Sequence, residues 1–367
     1  MISFLRVLPV TQLVLMALAV SVGAAADWQT EWEKTVSAAK SEGQLILYGN
    51  RNFERIFPDF EKKYGIRVVY VTGTGRDLVP RLMSEQRVGK YLADIFAAGP
   101  GTGFTILQAG GFDPVKPALM LPEVVDEQKW WQGKHPFVDK EGYIFAFNGY
   151  PSVNAIYNTD QVDPKELKSY RDLLNPKWKG KIAVFTIVQA AHKFFYHHPD
   201  LGPEFLKRLL GEMEVTPSRD MRQVTDWLAV GRFAMAVLVN SNHADVLKAR
   251  EQGLPIGIFA PGHFKEGAAL ITAAGSVALP KRPPHPNAAK VALNWLLSRE
   301  GQTTFQKNYG TVPWTADSRR IDVPKEQIVP EFRRVDGVNY LDVDRPEYIE
   351  DKPIRDLMQR SLSARGK

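Results

Sequence analysis

The run Leu45-Ile46-Leu47-Tyr48-Gly49-Asn50-Arg51-Asn52 is four apolar residues followed by four small or polar ones. An unbroken apolar run that short suits a strand covered on both faces, ending where the chain reaches solvent. The unit recurs downstream: Arg67-Val68-Val69-Tyr70-Val71 runs into Thr72-Gly73-Thr74-Gly75-Arg76, and Ala93-Asp94-Ile95-Phe96 runs into Ala98-Gly99-Pro100-Gly101. Helical segments lie between. One carries Phe57, Phe60 and Tyr64, holds Pro58 in its first turn and stops at Gly65. A second runs from about Asp77 to Val88 and is stopped by Gly89. Upstream, Thr30 and Glu33 have capping-box spacing ahead of a helix that Gly43 closes. Strands alternating with helices at these intervals predict a parallel α/β sheet. Open parallel sheets take their ligands beyond the C-terminal strand ends. That rule makes Asn50, Arg51, Thr74, Gly75, Arg76 and Gly99 candidate ligand contacts.

A second α/β unit follows. Tyr143 to Thr159 reads as one long strand leaving the first unit, and Lys181-Ile182-Ala183-Val184-Phe185 as a buried strand. Helices are expected near 188–198 and 203–210, and from Ser218 to Val230 with Gly231 as the stop. The strand Phe233 to Val239 runs into Asn240-Ser241-Asn242. A strand at Ala269-Leu270-Ile271-Thr272 passes through Ala274-Gly275-Ser276 into Val277-Ala278-Leu279, and the helix after Pro286 is expected to end at Gly301. Ser218 and Arg219 fall at a predicted helix N-terminus, where free N–H groups and the helix dipole favour an anion. Thr74-Gly75-Arg76 precedes its helix in the same way. The C-terminal portion, rich in Pro, Arg and Asp, is expected to wrap over the surface.

The N-terminus adds a destination. Arg6 precedes an apolar stretch from Leu8 to Val20, which gives way to Gly23-Ala24-Ala25-Ala26 and the first acidic residue, Asp27. A basic start, a short apolar stretch and small residues predict a secretory signal in residues 1–26, cut after Ala26. The stretch is shorter than the roughly 20 residues a spanning helix requires. The sequence contains no Cys, which excludes disulfides, thiolate metal sites and cysteine nucleophiles. Its net charge of +6 is spread among acidic residues with no Lys/Arg block, a solvated surface rather than a nucleic-acid footprint. There is no Gly-x-Ser-x-Gly elbow, no His-Glu-x-x-His and no catalytic carboxylate pair, so no enzymatic activity and no cofactor is expected. His192, His197 and His198 match no metal-ligand spacing and are expected to be exposed near a helix end. Trp130 and Trp131 are expected to pack on their own domain, and Arg222 and Arg232 to pair with surface carboxylates.

Several stretches together resemble a known family. They are Phe60-Glu61-Lys62-Lys63-Tyr64-Gly65-Ile66, Ala93-Asp94-Ile95-Phe96, Tyr157-Asn158-Thr159-Asp160, Leu173-Leu174-Asn175-Pro176-Lys177-Trp178-Lys179-Gly180-Lys181, Ala274-Gly275-Ser276-Val277-Ala278-Leu279 and Trp295-Leu296-Leu297-Ser298-Arg299-Glu300-Gly301-Gln302. In that order they resemble the bacterial extracellular solute-binding family whose best-known members bind ferric ion. The resemblance implies a type II periplasmic-binding-protein fold: two α/β lobes, each a mixed, mostly parallel sheet flanked by helices, joined by two crossover strands and closing on a ligand by hinge motion. The N-lobe would comprise 27–145 plus 275–367, and the C-lobe 146–274. The protein would be a periplasmic monomer, delivering a small solute to an ABC permease and its ATPase at the inner membrane. Ferric members place a Tyr pair where this chain has Ser241-Asn242, and often a His where it has Asn50-Arg51-Asn52. Ferric ion wants anionic oxygen ligands, which amides and an arginine do not supply. Arg51, Arg76 and Arg219 with Asn and Ser donors suit an organic anion instead: a phosphate ester, a phosphonate or a carboxylate. A ferric ion or ferric chelate binder, and outside the class an exported hydrolase or sensory subunit, are the alternatives.

Overall fold

The computed structural model describes residues 11–239, 244–309 and 316–364, with side chains from residue 27 onward. The first half contains α1 (Thr11–Glu42), β1 (Gln44–Gly49), α2 (Pro58–Tyr64), β2 (Arg67–Thr72), α3 (Gly75–Arg87), β3 (Ile95–Ala98), α4 (Pro100–Gln108), β4 (Phe112–Asp113), α5 (Pro122–Val125), β5 (Phe145–Ala146), β6 (Tyr150–Pro151) and β7 (Ala155–Asn158). Then come β8 (Ile182–Phe185), α6 (Ala190–His197), α7 (Gly202–Glu212), β9 (Thr216–Ser218), α8 (Met221–Ala229), β10 (Met235–Val237), α9 (Ala244–Glu251) and β11 (Ile256–Ile258). The chain closes with β12 (Ala268–Ile271), β13 (Ser276–Pro280), α10 (Pro286–Leu297), α11 (Arg299–Asn308), β14 (Tyr340–Asp342) and α12 (Lys352–Ser363).

Three sheets organise these elements. The first has the order β2-β1-β3-β13-β4, with β5 also paired to β13; the second runs β11-β7-β10-β8-β9; the third is β14-β12-β6. In the first sheet β1 pairs in parallel with β2 and β3, while β13 returns antiparallel to β3. In the second, β8 is parallel to both β10 and β9, and β7 is antiparallel to β10. The chain therefore crosses from the first sheet to the second through β6 and comes back through β12, the two-lobed α/β architecture of type II periplasmic binding proteins. Each lobe has its own core. Phe53, Phe57, Phe60 and Trp295 are fully buried in the first, and Phe194, Phe195, Leu206 and Leu209 in the second. Each such side chain contributes about 1.5–3 kcal/mol relative to exposure.

Several local expectations are corrected. α1 runs without a break through Thr30, so the Thr30/Glu33 spacing does not start a helix. The predicted cleavage point after Ala26 lies within α1, among residues whose side chains are outside the description. Tyr143–Thr159 is not one strand but the short pieces β5, β6 and β7, because the chain changes sheets there. α10 ends at Leu297, where Ser298 caps a new helix by accepting from the Gly301 N–H (3.1 Å); Gly301 sits inside α11. The C-terminal portion runs over the surface for most of its described length, as expected, but it is anchored by residues 316–320, which are all buried. Parts of 275–367 also pack outside the first core. Ile328 and Phe332 join a core with Met221 and Val224, and Ile354 and Met358 of α12 pack with Phe205 and Leu209. Among the described residues no helix is long and apolar enough to cross a membrane.

Candidate functional site

The C-terminal ends of β1, β2 and β3 lie side by side because the three strands are in parallel register. Backbone bonds continue the register into the loops: the Asn50 N–H donates to Ala97 O (3.1 Å) and the Gly73 N–H to Gly49 O (3.1 Å). Asn50, Thr74, Gly75 and Gly99 are thus brought to one sheet edge, as the strand-end rule predicts. Asn50 spends its side-chain oxygen locally, accepting from the Asn52 N–H (2.9 Å). Arg51 opens the short 3-10 turn Arg51–Arg55 and is exposed.

Arg76 is also exposed, and with Thr74 and Gly75 it lines an open cleft of about 720 Å³. The opposite wall is the first turn of α4, with Gly101, Thr102 and Thr105. α4 has Gly99 as its N-cap, no capping side chain and no acidic residue in its first turn. Its N–H dipole end therefore carries no negative side chain of its own. A Cβ on Gly75 would lie 2.5 Å from Thr102 Oγ1, so glycine there is what lets α3 and α4 start against one another.

The other two helix starts are not free for a ligand. α3 carries its own anion: the Thr74 N–H and hydroxyl both donate to Asp77 Oδ2 (2.9 and 2.7 Å), which holds the Asp77 carboxyl below its ordinary range. α8 begins at Met221 rather than Ser218, and its N-cap Asp220 accepts from the Arg222 and Gln223 N–H groups (2.9 and 3.2 Å). Ser218 instead ends β9, opposite Phe185, and is buried with its hydroxyl donating to Gln223 Oε1 (2.8 Å). Exposed Arg219 lines a separate hollow of about 430 Å³ with Thr186, Ile187, Val188 and the α12 residues Arg355, Met358 and Gln359. The structure does not bring Arg76 and Arg219 onto the walls of one cavity, and Arg51 lines neither hollow. Asn240, Ser241 and Asn242 lie outside the described residues.

Other residues near the strand ends went unnoticed in the sequence. Tyr309 is buried between Phe53 and Phe305 and hydrogen-bonds to Asn52 and the Ala274 backbone; burial pushes its pKa up. Leu238 and Ala273 adopt left-handed backbone (φ 59° and 51°), one just before Asn240-Ser241-Asn242 and one at the return crossover. Strain of this kind concentrates at functional loops, but side-chain chemistry gives no hint of it. Arg232 lies over the rings of Trp227 (4.8 Å) and Phe233 (5.4 Å), and among the described residues it pairs with no carboxylate. His192 is fully buried, contrary to expectation. Trp130 packs in its own core as predicted, edge-on to Phe145 (4.7 Å). Among the described residues no group of three His, Cys, Asp or Glu side chains is placed to share a metal ion.

Comparison with known proteins fits this geometry. The model for the family described as bacterial extracellular solute-binding protein matches residues 56–330. Iron uptake protein A2 of Synechocystis sp. is 23% identical over 293 residues, 75% of this chain and 79% of that protein. The match to iron uptake protein A1 of the same organism, 25% identical over 145 residues, covers 38% of this chain and only 37% of that protein's length. Among solved structures, a Trichodesmium protein (IdiA, FutA) in complex with iron and citrate aligns with TM-score 0.60 and 20% identity over 88% of this chain and 98% of its own. AfuA of Actinobacillus pleuropneumoniae, with fructose-6-phosphate bound, aligns with TM-score 0.54 and 17% identity over 88% and 97%.

Proposed function

The chain belongs to the bacterial extracellular solute-binding proteins, and from that premise we propose that it is the periplasmic component of an ABC importer that captures a small organic anion. The observation that carries the ligand class is the cleft in which exposed Arg76 faces the uncapped first turn of α4. A guanidinium and the positive end of a helix aimed at one space favour phosphate or carboxylate. Arg51, at the neighbouring strand end, and Arg219, at the β9 end of the other lobe, join the anion when the lobes close. Asn50 adds a polar side chain at the same strand ends. In this reading the first lobe is 27–145 plus 275–367 and the second is 146–274, with the end of the first lobe's chain packed across the second. A signal in residues 1–26 directs export, and the monomer delivers its solute to a permease and ATPase at the inner membrane. No step of this role is catalytic.

The names of the two Synechocystis relatives and the iron–citrate complex favour a second reading, capture of ferric ion or a ferric chelate. One experiment separates the two. The protein spanning 27–367, unfolded and refolded to strip ligand, is heated with sugar phosphates, aminophosphonates, di- and tricarboxylates, and ferric ion with and without citrate. A ligand at a hundredfold excess over its Kd adds about 2.7 kcal/mol of stability. Stabilisation by an organic anion without iron supports the proposal; stabilisation only when ferric ion is present overturns the anion assignment. For an anion that binds, Arg76→Ala is expected to weaken it by about 1.5–3 kcal/mol by calorimetry, the scale of a hydrogen bond to a charged group. Binding that survives Arg51→Ala, Arg76→Ala and Arg219→Ala alike removes the arginines from the site.

A further inference from the structure

The two crossovers meet a third segment of chain. Asp317 to Ile321 is laced between the outgoing crossover and the loop around Trp130: the Arg319 N–H donates to Phe147 O (2.7 Å), the Gly149 N–H to Asp317 O (2.8 Å) and the Trp131 N–H to Arg319 O (2.7 Å). The side chain of Arg319 then reaches both crossovers at once. Its Nε donates to Asn148 O (2.9 Å) on the outgoing segment, and its Nη2 to Thr272 Oγ1 (3.0 Å) on the returning one. Nη2 also pairs with Asp342 Oδ2 (2.8 Å) of β14, the strand that the tail adds beside β12. The Arg319 side chain is 5% exposed, so these partners are held in a low-dielectric setting where a fixed fork of donors gives geometry as well as attraction. Around it the crossovers touch directly, the Asn148 amide donating to Thr272 O (3.0 Å), and the next residue, Ala273, is in left-handed backbone.

Hinge closure is absorbed by a few residues at element ends, and in a two-lobed chain those are the crossover residues. We propose that Arg319 is the positioning residue of this hinge: by fastening both crossovers to the returning tail it sets the angle between the lobes from which solute is captured. The inference rests on the two-lobed fold and not on the identity of the solute. Its neighbour supplies the contrast. Arg320 is fully buried and equally well bonded, to Glu123, Asp322 and Leu297 O, but none of its partners lies on a crossover. Losing Arg320 harms packing; losing Arg319 frees the hinge.

The test needs no ligand. The sequence contains no Cys, so spin labels on introduced Arg87→Cys and Lys207→Cys, exposed on α3 and α7, report one distance between the lobes. In the otherwise unchanged protein the distance distribution is expected to be narrow. Arg319→Met keeps the bulk of the side chain and is expected to broaden the distribution to about twice the parental width, the signature of a loosened hinge. Arg320→Met is expected to lower the Tm without broadening it. Should Arg319→Met not fold, Thr272→Val removes one crossover contact while leaving the buried charge paired, and is expected to broaden the distribution by a smaller amount. An unchanged distribution in the Arg319 and Thr272 variants, or equal broadening in the Arg320 variant, overturns the proposal.

Discussion

His192 is fully buried with both ring nitrogens engaged: Nδ1 accepts from the Gln189 N–H (3.1 Å) and Nε2 donates to Phe185 O (2.9 Å). That pattern fixes the neutral ring, and burial pushes its pKa down to about 4. The unfolded chain takes up a proton near pH 6.5 that the native state refuses, so this contribution to stability is complete above that pH and is lost as pH falls toward 4. Urea unfolding of the parent and of His192→Gln is expected to show the parent losing on the order of 2–3 kcal/mol more between pH 7 and pH 4. Asp344 has the opposite sign. Burial, and then the Asp342 carboxylate beside it, raise its pKa to about 6 although the Thr272 N–H donates to it (2.7 Å). Its native state holds the proton more tightly than the unfolded chain, so stability is greatest below the ordinary carboxylate range and falls as pH rises through about 6. Asp344→Asn keeps an acceptor for Thr272 and is expected to raise the Tm at pH 8 but not at pH 4. Neither shift is legible in the sequence, where one residue reads as a surface histidine and the other as part of a polar tail.

Single elements show why boundaries were harder to place than identities. The segment Ser218 to Val230 has a helix's apolar spacing, yet its first residue belongs to β9, because pairing with Phe185 of β8 wins over extending the helix by one turn. Asp220 then becomes the cap, and Asp220→Ala is expected to cost about 0.5–2 kcal/mol in thermal unfolding. The stop expected at Gly301 fails for a related reason. Leu297 ends α10 and Ser298 caps α11 at once, and the chain folds back so tightly that a Cβ on Gly301 would sit 1.9 Å from Trp295 O. The glycine answers a close approach rather than a helix end. Gly301→Ala must displace backbone, and a loss of about 1–3 kcal/mol is expected from the resulting overpacking. Where an element is bounded by its own chemistry, as α2 is by Pro58 and by Gly65 in left-handed backbone, sequence and structure coincide.

For the whole molecule, the run of apolar strands, the polar loops that follow them and the order of the stretches shared with the family determined the α/β class and the two lobes, and pointed to one strand-end edge as the place to look for a ligand. All of these depend on periodicity and local turn chemistry, which a sequence carries directly. It also placed Asn50, Thr74, Gly75 and Gly99 correctly on one edge, because parallel register leaves strand ends no other place to go. Only the tertiary structure decided which polar groups are spent at home: Asp77 and Asp220 occupy two of the helix starts that an anion was expected to use, while α4 keeps its start uncapped. Only the tertiary structure, too, revealed that the Pro-, Arg- and Asp-rich tail is anchored by buried residues 316–320, bonds to both crossovers through Arg319 and packs α12 against Phe205 and Leu209. A buried arginine and an exposed one have the same sequence signature. What separates them is the set of acceptors that distant segments bring within 3 Å, and those meet only when the chain has folded.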